Sequence, residues 1–411
     1  MKKILVLSLI VAIGLTFLIG CSSKEEGSIK IGVLLPLTGS QAKFGEMEKN
    51  SFDIAQAEIN QAGGIKGRQL EFVYEDDTGK PDVGRMGMEK LIAQDKVPMI
   101  TGGYSSSVTF AAAQVAQKYR VPFMVCTGSV DKITEPEAYD LNKNDGDKFY
   151  VYRINPPVSE YASGLEGFIN SVVKPKSVMI FHEGTTFGTK GAEAFAKTCS
   201  KLGIDVLGTE SYTEGTVDFK PMLLGVKEKN PDVVYMIAYV MDAALLMKQS
   251  KDLQLSPQIF IGAGAGFTMP AFRENAGVAS RKVVSSTLWH QSLPLAGAQE
   301  YFDKYVEKFG AENTPDYHGA EAYAAAYVVK DVLNRATDYT PESLKNALDK
   351  SDLMTVFGPV KFTSYGKKIH QNKMDTYVVQ WINDELKLIW PQSLADADYA
   401  FPINYAKEWA E

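Results

Sequence analysis

The feature that most constrains the fold is a rhythm that runs twice along the chain. Strand-like apolar runs at 29–36, 69–75, 98–102 and 122–126 alternate with helical periodicity at 47–61, 83–94 and 108–119. A stretch rich in loop formers follows at 135–148, with Pro136, Asn142, Asn144, Asp145 and Gly146, and then a strand-like run at 149–154. The alternation resumes with strand-like runs at 177–182, 205–211, 232–239 and 258–262, and helical patterns at 190–202, 220–229 and 243–253. Such alternation builds βαβ units, which give parallel sheets covered by helices on both faces. Two series parted by one loop-rich boundary predict two similar α/β lobes. The remainder, including 282–289 and the strand-like residues near Val360 and Tyr377, must add to one lobe or to both.

Composition agrees with a folded, two-domain body. Hydrophobic residues make up 45% and charged residues 23% of the chain, the balance of a globular protein. About 390 residues remain beyond an N-terminal leader, more than one core usually organises. The formal net charge of −7 argues against nucleic-acid binding, which calls for a basic face. Cys126 and Cys199 are expected to be buried free thiols.

The leader itself is informative. Lys2 and Lys3 precede an apolar run at 4–19 that ends in Leu18-Ile19-Gly20-Cys21. A basic start, a short apolar stretch and small residues describe a secretory signal peptide, too short for a spanning helix of roughly 20 residues. Leu-x-Gly-Cys looks like a bacterial lipobox, in which Cys21 becomes the lipidated first residue. The alternative is an uncleaved anchor. The expected layout is a signal peptide at 1–20, a tether at 21–28, a first lobe at 29–153 plus about 288–365, and a second lobe at 154–287 plus about 366–411.

Open α/β sheets bind ligands outside the carboxyl ends of their strands. The third strand-like run leads into Gly102-Gly103-Tyr104-Ser105-Ser106-Ser107, and the fourth into Thr127-Gly128-Ser129. Hydroxyls and free N–H groups at a helix start attract an anion, so Ser105, Ser106, Thr127 and Ser129 form a candidate cradle for a carboxylate. Two capped turns would read the same way. Phe44, Tyr104, Phe187, Tyr239 and Phe267 fall at loop positions and are candidates for an apolar pocket wall. Gly262-Ala263-Gly264-Ala265-Gly266 lacks the third glycine of a dinucleotide fingerprint and reads as a tight turn. The four histidines show no metal-ligand spacing, no Gly-x-Ser-x-Gly elbow is present, and His182-Glu183 is a weak acid–base candidate. No cofactor, no metal and no catalytic residue are expected.

These residues resemble the leucine/isoleucine/valine-binding proteins, the type I solute-binding proteins of bacterial ABC importers. The matching stretches are Ile31-Gly32-Val33-Leu34-Leu35-Pro36-Leu37-Thr38-Gly39, Phe44-Gly45, Glu58-Ile59-Asn60-Gln61-Ala62-Gly63-Gly64-Ile65-Lys66-Gly67-Arg68, Tyr74-Glu75-Asp76-Asp77, Phe187-Gly188 and Phe357-Gly358-Pro359-Val360. The resemblance implies two Rossmann-like lobes with central parallel sheets, joined by three hinge crossings near 154–158, near 286–289 and within 362–376. It places the ligand carboxylate on Ser106, on Thr127 through its backbone and on Ser129. Tyr239 would contact the ligand, and Phe44, Tyr104 and Phe187 would lie near its side-chain pocket. Where the amino-acid binders carry a glutamate for the ligand ammonium, this chain has Gly264, leaving Glu183, Asp242 or Glu214 to substitute, or a ligand without an ammonium and extra room for an aromatic carboxylate. The function implied is not enzymatic: a lipid-anchored, extracytoplasmic monomer captures an amino acid or organic acid by hinge closure and delivers it to an ABC permease with its ATPase. The alternative is a sensor of the same fold acting on a signalling partner.

Overall fold

The computed structural model describes residues 27–410, so the leader, Cys21 and most of the tether lie outside the described residues. Along the chain the first strands are β1 (Ile29–Leu35), β2 (Leu70–Asp76), β3 (Ile100–Gly102), β4 (Phe123–Val125) and β5 (Val151–Arg153). The second series is β6 (Ser177–Glu183), β7 (Asp205–Tyr212), β8 (Val233–Ile237), β9 (Ile259–Gly262) and β10 (Val284–Thr287). A hairpin of β11 (Asp352–Thr355) and β12 (Gly358–Lys361) is followed by β13 (Thr363–Tyr365), β14 (Lys368–Gln371), β15 (Tyr377–Ile382) and β16 (Glu385–Trp390).

These strands make two seven-stranded sheets, ordered β13-β14-β5-β4-β3-β1-β2 and β16-β15-β10-β9-β8-β6-β7. Within each, the strands of the alternating series pair in parallel. Only the late additions bring antiparallel neighbours. The expected α/β, two-lobed class is therefore the fold observed. Core strands such as IKIGVLL and VVYMI are buried on both faces, which is why they read as continuous apolar runs and not as alternating ones.

The chain passes between the sheets at three places: after β5, after β10, and between β14 and β15. The late segment serves both lobes. β14 pairs with β5 through Gln371 and Arg153, so the first sheet runs past the boundary expected near residue 365. The first and third passages are stitched together there. Gln371 Nε2 donates to the Asn155 carbonyl at 2.8 Å, and Asn372 Nδ2 to the Ile154 carbonyl at 3.2 Å. Cys126 and Cys199 are buried free thiols. No helix among the described residues is long and apolar enough to cross a membrane.

Candidate functional site

The carboxyl ends of both sheets face a shared cleft. On the first side, β3 runs through Gly103, Tyr104 and Ser105 into the helix Ser106–Tyr119, and β4 runs into 126–130. On the second side, β6, β8 and β9 lead to Phe187, Tyr239 and Ala265. Tyr104, Ser106, Thr127, Ser129, Tyr317 and His318 line a cavity of about 20 Å³ from one side, and Tyr161, Phe187, Tyr239 and Ala265 close it from the other. That volume is close to the space of one water. Its walls come from both lobes.

The cradle is built as two loops locked together. Ser106 Oγ accepts from the N–H groups of Ser129 (3.2 Å) and Val130 (3.1 Å) and lies 3.3 Å from Ser129 Oγ. Arg153 braces the second loop from below. It is fully buried, and its Nη1 donates to the carbonyls of Gly128 and Val130 at 3.2 and 2.8 Å. A guanidinium behind these carbonyls both fixes the loop and leaves positive charge behind Ser129. Ser105 is buried beside the cradle, with its Oγ 3.4 Å from Ser107 Oγ.

Thr127 departs from the backbone role implied by the resemblance. Its N–H donates to the Gly103 carbonyl at 3.3 Å, and its own carbonyl accepts from Asn155 Nδ2. Both main-chain groups are thus engaged, the carbonyl by Asn155 at the first crossing. Its side chain instead sits on two buried acids: Thr127 Oγ1 is 2.8 Å from Glu48 Oε1 and 2.9 Å from Glu321 Oε2.

Aromatic rings make the rest of the wall. Phe44 stacks on Tyr104 with centroids 4.5 Å apart, and Phe187 stacks on Tyr239 at 6.1 Å. Tyr104 approaches Tyr239 across the cleft, again at 6.1 Å. Burial raises the Tyr104 and Tyr239 phenols well above their usual range, so both remain neutral hydroxyls. Phe267 packs away from the cavity, against Phe272.

Gly264 lies beside the cavity and not in its wall. Its φ is +72°, and a Cβ there would meet Tyr317 Oη at 3.3 Å and the Ser286 carbonyl at 3.4 Å. The room expected beside it is filled by Tyr317, whose hydroxyl accepts from the Ala265 N–H at 2.9 Å. Gly266 is needed for a different reason, since a Cβ would come within 2.4 Å of the Tyr239 carbonyl carbon. The glycine-rich run is a tight turn seating Tyr239.

None of the three substitute acids reaches the cavity wall. Glu183 accepts from the Thr185 hydroxyl (2.7 Å) and the Gly188 N–H (2.6 Å), serving the start of the helix Thr186–Leu202. Burial raises its carboxyl against those bonds. Asp242 accepts from the Gly215 N–H at 3.2 Å, and burial first, with Glu214 and Glu183 adding, pushes it up to about 6. Glu214 accepts from Ser40 Oγ at 2.7 Å and from Gln41 Nε2 at 3.3 Å. It is a contact between lobes at the cleft mouth. His182 is buried with Nδ1 against the Glu183 carbonyl and does not line the cavity.

Sequence reasoning missed Tyr161, Ala265, Tyr317 and His318 in the wall, and Glu48, Glu321 and Arg153 behind it. His318 Nδ1 lies 2.9 Å from Asp316 Oδ1, and its ring meets Phe44 edge-on at 4.9 Å. One signal existed: Glu321 interrupts an apolar helical stretch, Ala320 to Ala326, where a charge is out of place. A larger groove of about 490 Å³ opens at Trp289, His290, Trp381 and Asp384. Some of its polar groups are engaged with one another or with backbone, as His290 Nε2 is with the Leu386 carbonyl at 3.0 Å and Arg273 Nε with Asp384 Oδ1 at 2.8 Å. The small cavity, where donors converge between lobes, is the candidate site.

A cleft at the carboxyl ends of two parallel sheets, walled from both sides, defines a two-lobed binding protein. The sequence profile of the periplasmic binding protein family matches residues 28–385, and the chain belongs to that family. The chain is 24% identical over 413 aligned positions to Leu/Ile/Val-binding protein homolog 7 of Brucella suis biovar 1 (strain 1330), covering 96% of this chain and 99% of that protein. In fold it is similar to the branched-chain amino acid transporter substrate-binding protein LivJ of Streptococcus pneumoniae str. Canada MDR_19A, solved in complex with isoleucine. That similarity has a TM-score of 0.78 at 22% identity, covering 88% of this chain and 99% of that one. A solute-binding protein of an ABC transporter from R. palustris, solved with benzoate, superposes with a TM-score of 0.75 at 20% identity, covering 92% and 100% of the two chains.

Proposed function

We propose that this chain is an extracytoplasmic solute-binding lipoprotein of an ABC importer, held at the membrane through Cys21. It captures a small carboxylate by closing two lobes on it, then presents the closed form to a permease and its ATPase as a monomer. The first lobe is 29–153 with the segment from about 288 to Gln371, and the second is 154–287 with the remainder. The observation that carries the reading is the cavity walled from both lobes around hydroxyl and N–H donors. Ligand binding then shifts an open–closed equilibrium by its preference for the closed state.

Ser106 and Ser129, with the N–H groups Ser106 now holds, receive the carboxylate. Tyr239, Tyr104 and Phe187, backed by Phe44, enclose the rest. A buried ammonium needs an anionic partner. Among the described residues no carboxylate lines the cavity, and the Thr127 carbonyl already accepts from Asn155. The favoured ligand is therefore a carboxylate without an α-ammonium, of the kind bound by the R. palustris protein named above. The test is a thermal-shift series with benzoate, 4-hydroxybenzoate, leucine, isoleucine and valine, followed by small-angle scattering with whichever binds. Aromatic acids should raise the melting temperature and compact the particle. Strong stabilisation by leucine and valine, with none by the acids, would overturn the ligand class. A bound ligand that leaves the scattering profile unchanged would overturn hinge closure.

A further inference from the structure

The acids beneath Thr127 obey a simple count. Glu48 comes from the helix Ala42–Gln61 and Glu321 from the helix Tyr317–Arg335. Both side chains are fully buried, and both place an oxygen within 2.9 Å of the one Thr127 hydroxyl. That hydroxyl has a single proton and can donate to one of them only. The other contact is a hydrogen bond only if a carboxyl brings its own proton. The remaining oxygens, Glu48 Oε2 and Glu321 Oε1, have no hydrogen-bond partner among the described residues, and an ionised carboxylate left so in the interior is costly.

Among the described residues neither glutamate is paired directly with a cation. The charges raising them are acidic: Asp77, on the loop after β2, and Asp316, at the start of the second helix, act on Glu48, and Glu48 and Asp316 act on Glu321. The other titratable groups facing the pair are Cys126, Tyr104, Tyr161 and Tyr317, each kept neutral by burial. His318 stands one helical turn from Glu321, its Nδ1 held by Asp316. Burial raises both glutamates, against the bond from Thr127.

We propose that Glu48 and Glu321 are positioning residues that store protons under the ligand cradle, so that capture of an anionic ligand is coupled to proton retention. With both acids neutral, each O–H donates to a lone pair of Thr127 Oγ1, and the threonine proton turns to the ligand carboxylate. When one acid ionises, it draws that proton back and sets a negative charge beneath the anion. The proton moves to bulk water and no bond to the ligand is made or broken. This coupling rests on the carboxylate reading of the cavity proposed above.

The test uses the wild type, Glu48→Gln, Glu321→Gln and the double variant, whose amides retain a donor for Thr127. Infrared difference spectra without ligand, taken between wild type and each variant, should show protonated-carboxyl absorption at neutral pH that is partly lost in each single variant and lost further in the double, above the band left by other buried acids such as Asp77. A wild-type spectrum with no more protonated-carboxyl absorption than the double variant would overturn the stored proton whatever the ligands do. Calorimetry with benzoate and with leucine then runs from about pH 6 to about pH 9 in buffers of two ionisation enthalpies. For the probe that binds, the wild-type Kd should weaken by up to about tenfold per pH unit, with a buffer-dependent heat of proton uptake, while the double variant stays flat. A wild-type Kd independent of pH, or equal pH dependence in the double variant, would overturn the coupling. If neither probe binds at any pH, the ligand reading fails and the coupling with it, while the infrared band alone still decides the buried pair.

Discussion

Asp76 and Asp77 are adjacent, yet their surroundings drive them apart, and replacing the second gives a sharp test. Burial works against Asp76, but hydrogen bonds from Thr38, Thr78 and Leu37 together hold it below the usual carboxylate range. Asp77 is fully buried. One oxygen accepts from the Gly79 N–H at 2.8 Å, and Oδ2 has no partner among the described residues. Burial, with Asp76 adding, pushes its carboxyl from 3.8 up to about 7. The native state therefore keeps a proton that the unfolded chain releases near 3.8. Its contribution to stability is full below that value and lost as pH rises to about 7, an order-of-magnitude effect of about 4 kcal/mol. Asp77→Asn removes this titration. The amide keeps an acceptor for Gly79 but buries a donor where Oδ2 stood, a constant cost of about 1–3 kcal/mol. The informative quantity is thus a slope. Urea unfolding followed by circular dichroism, from about pH 5 to about pH 8, should show the variant gaining on the wild type by about 1.4 kcal/mol per pH unit, levelling off above about pH 7. A difference that stays constant across that window would mean Asp77 is already ionised in the native protein, and the burial argument would be wrong.

Three further outcomes are expected. Ser106→Ala leaves the Ser129 and Val130 N–H groups without their acceptor and removes a donor to the ligand charge. Calorimetry should find binding weakened by about 10- to 100-fold, from about 1.5–3 kcal/mol, and an unchanged Kd would remove Ser106 from the cradle. Glu214→Ala cuts the contact to Ser40 and Gln41 at the cleft mouth. Being near the surface it should cost about 1 kcal/mol of closure and about fivefold in affinity, with a more open ligand-free scattering profile. Equal profiles would show that the contact does not hold the lobes together. Gly264→Glu introduces a side chain at φ +72°, with its Cβ 3.3 Å from Tyr317 Oη. At φ +72° and ψ −139° the backbone is open essentially to glycine and costs another residue about 1–3 kcal/mol, so the melting temperature should fall and leucine binding should not appear. A stable variant that binds leucine would restore the ammonium site this cleft lacks.

The two-lobed architecture was legible because it rests on local pattern. Apolar runs such as Ile29–Leu35 and Val233–Ile237, spaced by helical periodicity, leave few ways to bury their faces other than parallel sheets. Hydroxyl-rich turns after strands likewise put Ser106, Thr127 and Ser129 at one end of the first sheet from order alone. The late segment was not legible. β14 joins the first sheet and β15 the second across only a few residues, and no local property of 363–390 distinguishes the two destinations.

The amino-acid order thus determined the elements, their alternation and the cradle loops, since each depends on residues close along the chain. Folding in three dimensions decided what stands opposite what. Tyr317, far along the chain, fills the space that Gly264 left open to reading. Glu48 and Glu321, far apart along the chain, meet on one hydroxyl. Glu183, Asp242 and Glu214, each a candidate by position, turn to caps and contacts away from the cavity. Those outcomes depend on long-range packing, where a buried charge is tolerated only beside the partners the whole fold supplies.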